Sequence, residues 1–329
     1  MNILLLDTEK DKISKWKYIV DDKSLTSYYL DPYYFKLIKY IPSNISPNVL
    51  SILGFLCTMF SFNLNYYYFE SNESFVCISI AILIFLYMLF DAIDGKHARA
   101  TNNSSPVGEL LDHTSDNIGT VFLMLNLCTV IGINDIITKW YVVQSGLLIF
   151  LESHIRAYKT RIVEFGKYNG PSEFLLTLIV LCLLRAMFTI NLNTIFTYIA
   201  YYVYHGAFIY ILYSLIPIKN YNIKIPAYII MTLLLIPNIM IHANLMSNIS
   251  IPDIIGNGVI LSIFTSEIII CKMASKDINP IIMIFILLSL FNSYLSILLT
   301  AIYHIGIFIE IAFYMKIPLI RSNVKYDHQ

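Results

Sequence analysis

The sequence predicts an all-α polytopic membrane protein, with about ten transmembrane helices behind an N-terminal interfacial helix. Three observations predict it. The composition is 57% hydrophobic and 13% charged, where a soluble domain carries roughly 25% charged residues. Apolar runs of roughly 20 residues, the length that crosses a bilayer, recur along the chain. The basic residues fall almost wholly on one side of those runs. Zero net formal charge leaves no electrostatic footprint for a nucleic-acid partner.

The elements follow in order. Residues 1–46 form a cytosolic and interfacial segment, charged early and then aromatic. Tyr28, Tyr29, Tyr33, Tyr34 and Phe35 interleave with Lys36 and Lys39, the pattern of a helix lying on a leaflet. The only early apolar run, Ile3 to Leu6, is too short and too acidic in its surroundings for a cleaved signal peptide. Insertion is therefore expected to begin with the first span. Spans are read at 48–69, 74–94, 112–133, 140–158, 172–191, 194–216, 225–245, 253–271, 278–296 and 298–316. A polar patch at Asn292, Ser293 and Ser296 marks the turn between the last two. The chain divides into the N-terminal segment, a block of helices at 47–191 that carries the polar motifs, and C-terminal transmembrane helices at 192–329.

With both ends in the cytosol, that side holds 20 of the 22 lysines and arginines. Only Lys139 and Arg185 lie opposite. A missed or extra helix would scramble this bias, so it supports the span count as well as the orientation. The five cysteines fall inside apolar runs with no CxxC pair, and read as buried hydrophobes.

Charge inside a span is costly and marks function. Here it concentrates where the second span ends and the third begins. Asp91 and Asp94 are three apart and share a helix face. Asp112 and Asp116 are four apart and share another. The polar loop from Thr101 to Pro106 is short enough to make the two helices antiparallel neighbours. Four carboxylates then converge at the cytosolic membrane surface. A hard divalent cation resolves their repulsion: oxygen ligation suits Mg²⁺ or Mn²⁺, and two ions fit such a set. Gly95 and Gly108 let backbone approach a bulky anion, and Ala98 keeps the helix interface thin. Arg99 offers a fixed positive fork to a phosphate. The competing structural reading is a salt-bridged hairpin in which Lys96 and Arg99 neutralise two of the carboxylates.

These residues carry a resemblance. The pattern D-x2-D-G-x2-A-R-x8-G-x3-D-x3-D is matched by Asp91, Asp94, Gly95, Ala98, Arg99, Gly108, Asp112 and Asp116 without gap or substitution. It is the signature of the CDP-alcohol phosphotransferase family. The stretch DGKHARATNNSSPVGELLDHTSDN resembles the eukaryotic choline/ethanolamine branch. So do SLTSYYLDPYY at 24–34, ISPNVLSILG at 45–54 and KYNGPSEF at 167–174, the last resembling an NGP-x-E element. The C-terminal half resembles the family in hydropathy and span number alone.

The resemblance implies the chemistry. CDP-choline or CDP-ethanolamine sits over the metal site, with the four aspartates as ligands. The primary hydroxyl of diacylglycerol, arriving from the membrane, attacks the β-phosphate and CMP leaves. The base is His113 or Asp116, with His113 favoured because it follows Asp112 directly and a neutral imidazole takes a proton at neutral pH. Glu152, His154, Asn169 and Glu173 are second candidates, the carboxylates for an ammonium headgroup. Glu267 and Glu310 are expected to reach the interface or cap Lys272 and Lys316. The resemblance further implies a homodimer in the endoplasmic reticulum or Golgi membrane, its site facing the cytosol.

Two rival functions are open to such a chain. A sibling enzyme using CDP-diacylglycerol would be shorter, with about six spans, and ten spans with the NGP-x-E element argue against it. An ion-coupled transporter would carry repeated broken helices. No second copy of the acidic motif occurs in 190–329.

Overall fold

The computed structural model describes residues 4–168, 170–215, 229–231, 234–243, 249–290 and 292–317. It is an all-α polytopic membrane protein. Before the membrane come α1 (Asp7–Ser14), the short strand β1 (Val20–Asp22), α2 (Leu25–Leu37) and a 3-10 turn (Ile38–Tyr40). The long helices are α3 (Pro47–Tyr68), α4 (Glu73–Ala100), α5 (Pro106–Val130) and α6 (Ile136–Thr160). After strand β2 (Val163–Phe165) follow α7 (Pro171–Met187), α8 (Asn193–Leu215), α9 (Ile236–His242), α10 (Ile251–Ala274), α11 (Ile281–Ser289) and α12 (Ser293–Met315). Among the described residues, α3, α4, α8, α10 and α12 are long and apolar enough to cross a membrane.

The apolar runs become helices where expected, and their ends are set by local chemistry. Ser105 caps α5, accepting from the Gly108 N–H at 3.1 Å, and Pro106 occupies its first turn. Asp135 caps α6 through the Thr138 N–H at 2.7 Å. Asn292 caps α12, so the last turn lies at the polar patch but a few residues before the expected 296/298 boundary. The run at 278–296 holds the nine-residue α11, about 14 Å long and too short to cross alone. Most of the span expected at 225–245 falls outside the described residues.

Two helix ends differ from the sequence reading in a way that matters. Helix α4 continues to Ala100 and α5 already begins at Pro106. Gly95, Ala98, Arg99, Gly108 and Glu109 are therefore helical beyond the expected span limits of 94 and 112, and the connecting loop falls at 101–105, where the sequence places it. Helices do not stop at the hydrocarbon edge when their next residues are water-tolerant helix formers.

Helix α3 packs on α4 and α5, α7 on α4, and α8 on α6. Nearly all of α10 is buried, against α5, α6 and α12. Gly132 turns the chain between α5 and α6 at φ +81°, where a Cβ would lie 2.8 Å from the Ile190 carbonyl oxygen. Four of the five cysteines are buried and Cys57 is half-buried.

The N-terminal segment bears the expected exposed aromatic face, Tyr28, Tyr29, Tyr33 and Phe35, with Tyr34 turned inward. It also holds a feature the sequence reading lacked. β1 pairs in parallel with β2, Val20 opposite Val163 and Asp22 opposite Phe165. Both stretches are extended, each begins with a β-branched valine, and each lies outside an apolar run. The segment is tied down further by Glu310 of α12, which takes the Lys10 ammonium at 2.9 Å and the Leu4 N–H at 3.0 Å. Glu310 thus serves the N-terminus and not Lys316. Glu267 accepts from Lys276 at 2.7 Å and from the Tyr303 hydroxyl at 2.6 Å, while Lys272 pairs with Glu109.

Candidate active site

The α4–α5 hairpin, closed by the five residues 101–105, carries the polar motif. Asn102 takes a left-handed φ of 54° in that turn, a conformation asparagine tolerates. The helices return antiparallel, and their carboxylates meet in cross-helix pairs. Asp91 faces Asp116, and Asp94 faces Asp112. Asp112, His113 and Asp116 each offer one ligand atom within 4.8 Å of the others. Asp94 is buried, and Asp91, Asp112 and Asp116 are half-buried.

Neighbouring groups fix these side chains. The Ser51 hydroxyl of α3 donates to Asp94 Oδ2 at 2.5 Å, and the Gly95 N–H donates to Asp94 Oδ1. The Tyr87 hydroxyl, one turn before Asp91 on α4, donates to Asp116 Oδ1 at 2.8 Å. Gly54 lets α3 come close enough for this, since a Cβ there would meet the Tyr87 ring at 3.2 Å. Gly108 likewise abuts the Asn48 side chain of α3.

The salt-bridged hairpin fails. Lys96 pairs with Asp31 of α2 at 3.0 Å and lies over the Tyr34 and Phe35 rings. Arg99 is exposed and folds back over Gly95 without an ion-pair partner among the described residues. No lysine or arginine among the described residues pairs with any of the four aspartates. Four like charges facing one another without a basic partner call for a bound cation. The donor set, oxygens with one imidazole at the edge, fits Mg²⁺ or Mn²⁺.

His113 is buried with Nε2 unpartnered among the described residues. Its ring lies 4.9 Å from that of His154 and 5.7 Å from that of Tyr18. Glu173 accepts from the Thr26 N–H and hydroxyl, both at 2.9 Å, and so caps the start of α2. Its Oε2 has no partner among the described residues. Glu152 pairs with Arg156 at 2.6 Å. Two residues from His154, it lies on the opposite face of α6 and is not brought to the carboxylates. Asn169 lies outside the described residues.

Sequence reasoning missed Ser51, Tyr87, Tyr18 and the Glu109–Lys272 pair. Ser51 sits within ISPNVLSILG, a stretch singled out for other reasons, and that was the available signal. Tyr87 sits four residues before Asp91, so helical spacing places it on the same stripe. Nothing in local pattern pointed to Tyr18 or Lys272.

The profile of the CDP-alcohol phosphatidyltransferase family matches residues 44–264. The chain is 32% identical over 188 residues to cholinephosphotransferase 1 of Saccharomyces cerevisiae, covering 56% of this chain and 47% of that protein. It is 36% identical over 167 residues to choline/ethanolaminephosphotransferase 2 of Arabidopsis thaliana, covering 49% and 42%. It is 33% identical over 174 residues to cholinephosphotransferase 1 of Gallus gallus, covering 48% and 49%. The matched region thus spans about half the length of these relatives.

Proposed function

The chain belongs to the CDP-alcohol phosphatidyltransferase family, and from that premise we propose that it transfers phosphocholine or phosphoethanolamine from the CDP-alcohol to diacylglycerol. CMP is released, and phosphatidylcholine or phosphatidylethanolamine remains in the membrane. The names of its relatives support the headgroup class. The observation that carries the reading is the set of four facing aspartates without a basic partner among the described residues.

Asp91, Asp94, Asp112 and Asp116 would hold the divalent metal, Mg²⁺ or Mn²⁺ and as a pair of ions. Bound there, it would neutralise pyrophosphate charge, the main demand of phosphoryl transfer. Ser51 and Tyr87 orient two of the ligands, as outer partners do in metal sites. Gly95, Ala98 and Gly108 keep the approach to the site open or close-packed, and Arg99, with no ion-pair partner among the described residues, reaches for phosphate. His113 takes the proton of the acceptor hydroxyl as its oxygen bonds to the β-phosphorus and the bond to CMP breaks. The unpartnered Nε2 supports this role. Glu173, whose Oε2 has no partner among the described residues, would offer a carboxylate to the ammonium headgroup, and Asn169, four residues earlier in the sequence, is a further candidate for the CDP-alcohol. The same reading places the catalytic helices at 47–191 and makes the protein a homodimer of the endoplasmic reticulum or Golgi membrane, with the site open to the cytosol.

The test is purified protein in vesicles containing diacylglycerol, with Mg²⁺ and either CDP-choline or CDP-ethanolamine. CMP and phospholipid should form in equal amounts from at least one of them. CMP formation that does not depend on diacylglycerol would overturn the reading.

A further inference from the structure

Next to the aspartates on α5, and bordered by His113, whose ring nitrogen lies within 4.8 Å of Asp112 and Asp116 oxygens, is a second group of buried polar atoms. Asn117 is 0% exposed, and neither its amide nitrogen nor its oxygen has a partner among the described residues. His113 is 7% and His154 4% exposed, and the Nε2 of each is likewise unpartnered there. His154 Nδ1 lies 2.9 Å from the Phe150 carbonyl oxygen. That carbonyl can only accept, so Nδ1 carries the proton and Nε2 is left with a lone pair.

Helix geometry gathers these residues on one side of α5. Asn117 is four residues on from His113 and shares its face of α5. On that side Met124 meets Gly146 of α6 and Val121 meets Gly258 of α10. Asn117 therefore points to the seam of α6 and α10, beside the 4.9 Å contact of His113 with His154. A buried polar atom without a partner destabilises a fold, and a leucine or phenylalanine would cost nothing here. Several such atoms on adjacent turns fit a site whose partner is a ligand.

The chemistry of the seat selects the ligand. Beyond His113, on the side of Asn117 and His154, the seat adds no unpaired charge, since Lys272 is paired with Glu109 at 2.8 Å. The surroundings are apolar, with Leu147, Leu151 and Ile155 buried and the Phe150 ring stacked on His154. Tyr18, 37% exposed, edges His113 on the side toward the N-terminal segment. Neutral donors and acceptors in an apolar wall suit an uncharged polar head on an apolar tail. The charged nucleotide belongs to the adjoining carboxylate face, and His113 stands at the border of the two.

We propose that His113, Asn117 and His154 form the seat for the glycerol head of an uncharged lipid alcohol. Asn117 and His154 bind its hydroxyl and ester oxygens and hold the reacting hydroxyl toward His113. The inference rests on the phosphotransfer reading and names the residues that receive the acceptor.

The test uses the full-length protein and the apolar variants Asn117→Leu and His154→Phe. Thermal unfolding in detergent is followed in chelator, with and without dioleoylglycerol, and separately with CDP-choline plus Mg²⁺. Diacylglycerol should raise the midpoint of the wild type in chelator. The variants should lose most of that rise, keep the response to CDP-choline plus Mg²⁺, and unfold no earlier than wild type without ligand. In turnover, KM for diacylglycerol should rise about tenfold, the loss of one neutral hydrogen bond, with KM for the CDP-alcohol within about twofold. Variants that keep the full diacylglycerol response, a wild type that shows none, or variants that unfold early with both KM values shifted together would each overturn the seat. Should Asn117→Leu not accumulate, Asn117→Ala is measured identically. A wild type that responds to diacylglycerol but releases no CMP refutes the phosphotransfer reading and leaves the seat standing as a binding site.

Discussion

His113 is the residue on which the proposed chemistry turns. His113→Gln keeps the size and a hydrogen-bonding group but cannot take the proton. Turnover is expected to fall by about 10²–10⁴-fold, with CDP-alcohol affinity largely kept. Near-native turnover would pass the role of base to Asp116. Ser51→Ala and Tyr87→Phe remove partners of Asp94 and Asp116, and each should cost roughly 10–100-fold in activity or metal affinity. Asp91→Ala, Asp94→Ala and Asp112→Ala should each cost more, while the protein still inserts. If Tyr87→Phe leaves both quantities unchanged, that hydroxyl does not orient Asp116. The four aspartates were legible because helical spacing turns a three- or four-residue interval into a shared face. Their partners were less so, because Ser51 lies on a different helix and no periodicity links it to Asp94. The seat of Asn117 and His154 was half legible: His154 stood out as a polar residue near a helix end, but only tertiary contact brings it to His113.

At the scale of elements, the α4–α5 hairpin is held from the far end of the chain. Lys272 of α10 pairs with Glu109 of α5 at 2.8 Å, and Glu109 also accepts from the Trp16 indole N–H at 2.7 Å. Lys272 lies over the Trp16 ring, and Arg161 lies over the same ring. One buried cluster thus joins the N-terminal segment, the start of α5 and the end of α10, one turn below Asp112. Lys272→Met leaves the Glu109 carboxylate buried without its cation and should destabilise by about 3–5 kcal/mol. The double variant Lys272→Met with Glu109→Leu should recover much of that loss, read as the thermal midpoint in detergent. A single variant as stable as wild type would mean that Glu109 finds water. The sequence reading gives Glu267 either the interface or Lys272, its neighbour on the same helix. It missed the pair with Glu109 because proximity in sequence says nothing about which helix faces which. The β1–β2 pairing was illegible for the same reason.

For the whole molecule, the apolar runs and the one-sided basic residues carried most of the architecture. What they left unread was depth: α10 reads like any other span, yet it is the buried centre of the bundle. Hydropathy cannot separate a helix facing lipid from one facing protein, since both are apolar. On the basic bias, the 101–105 loop is expected in the cytosol. Ser104 is exposed there, and Ser104→Cys should react with a membrane-impermeant thiol reagent in sealed microsomes without permeabilisation. Labelling only after permeabilisation would put the site on the side that a cytosolic nucleotide does not reach. The central claim is that the aspartates at 91–116 form a divalent-metal site for phosphotransfer from a CDP-alcohol. Its most direct measurement is CMP release by the purified protein in diacylglycerol vesicles, before metal depletion, in excess chelator, and after Mg²⁺ or Mn²⁺ is restored. Release should stop in chelator and return with the metal, and should return in none of the Asp91→Ala, Asp94→Ala or Asp112→Ala proteins at the same metal concentration. Full release in excess chelator would contradict the metal site.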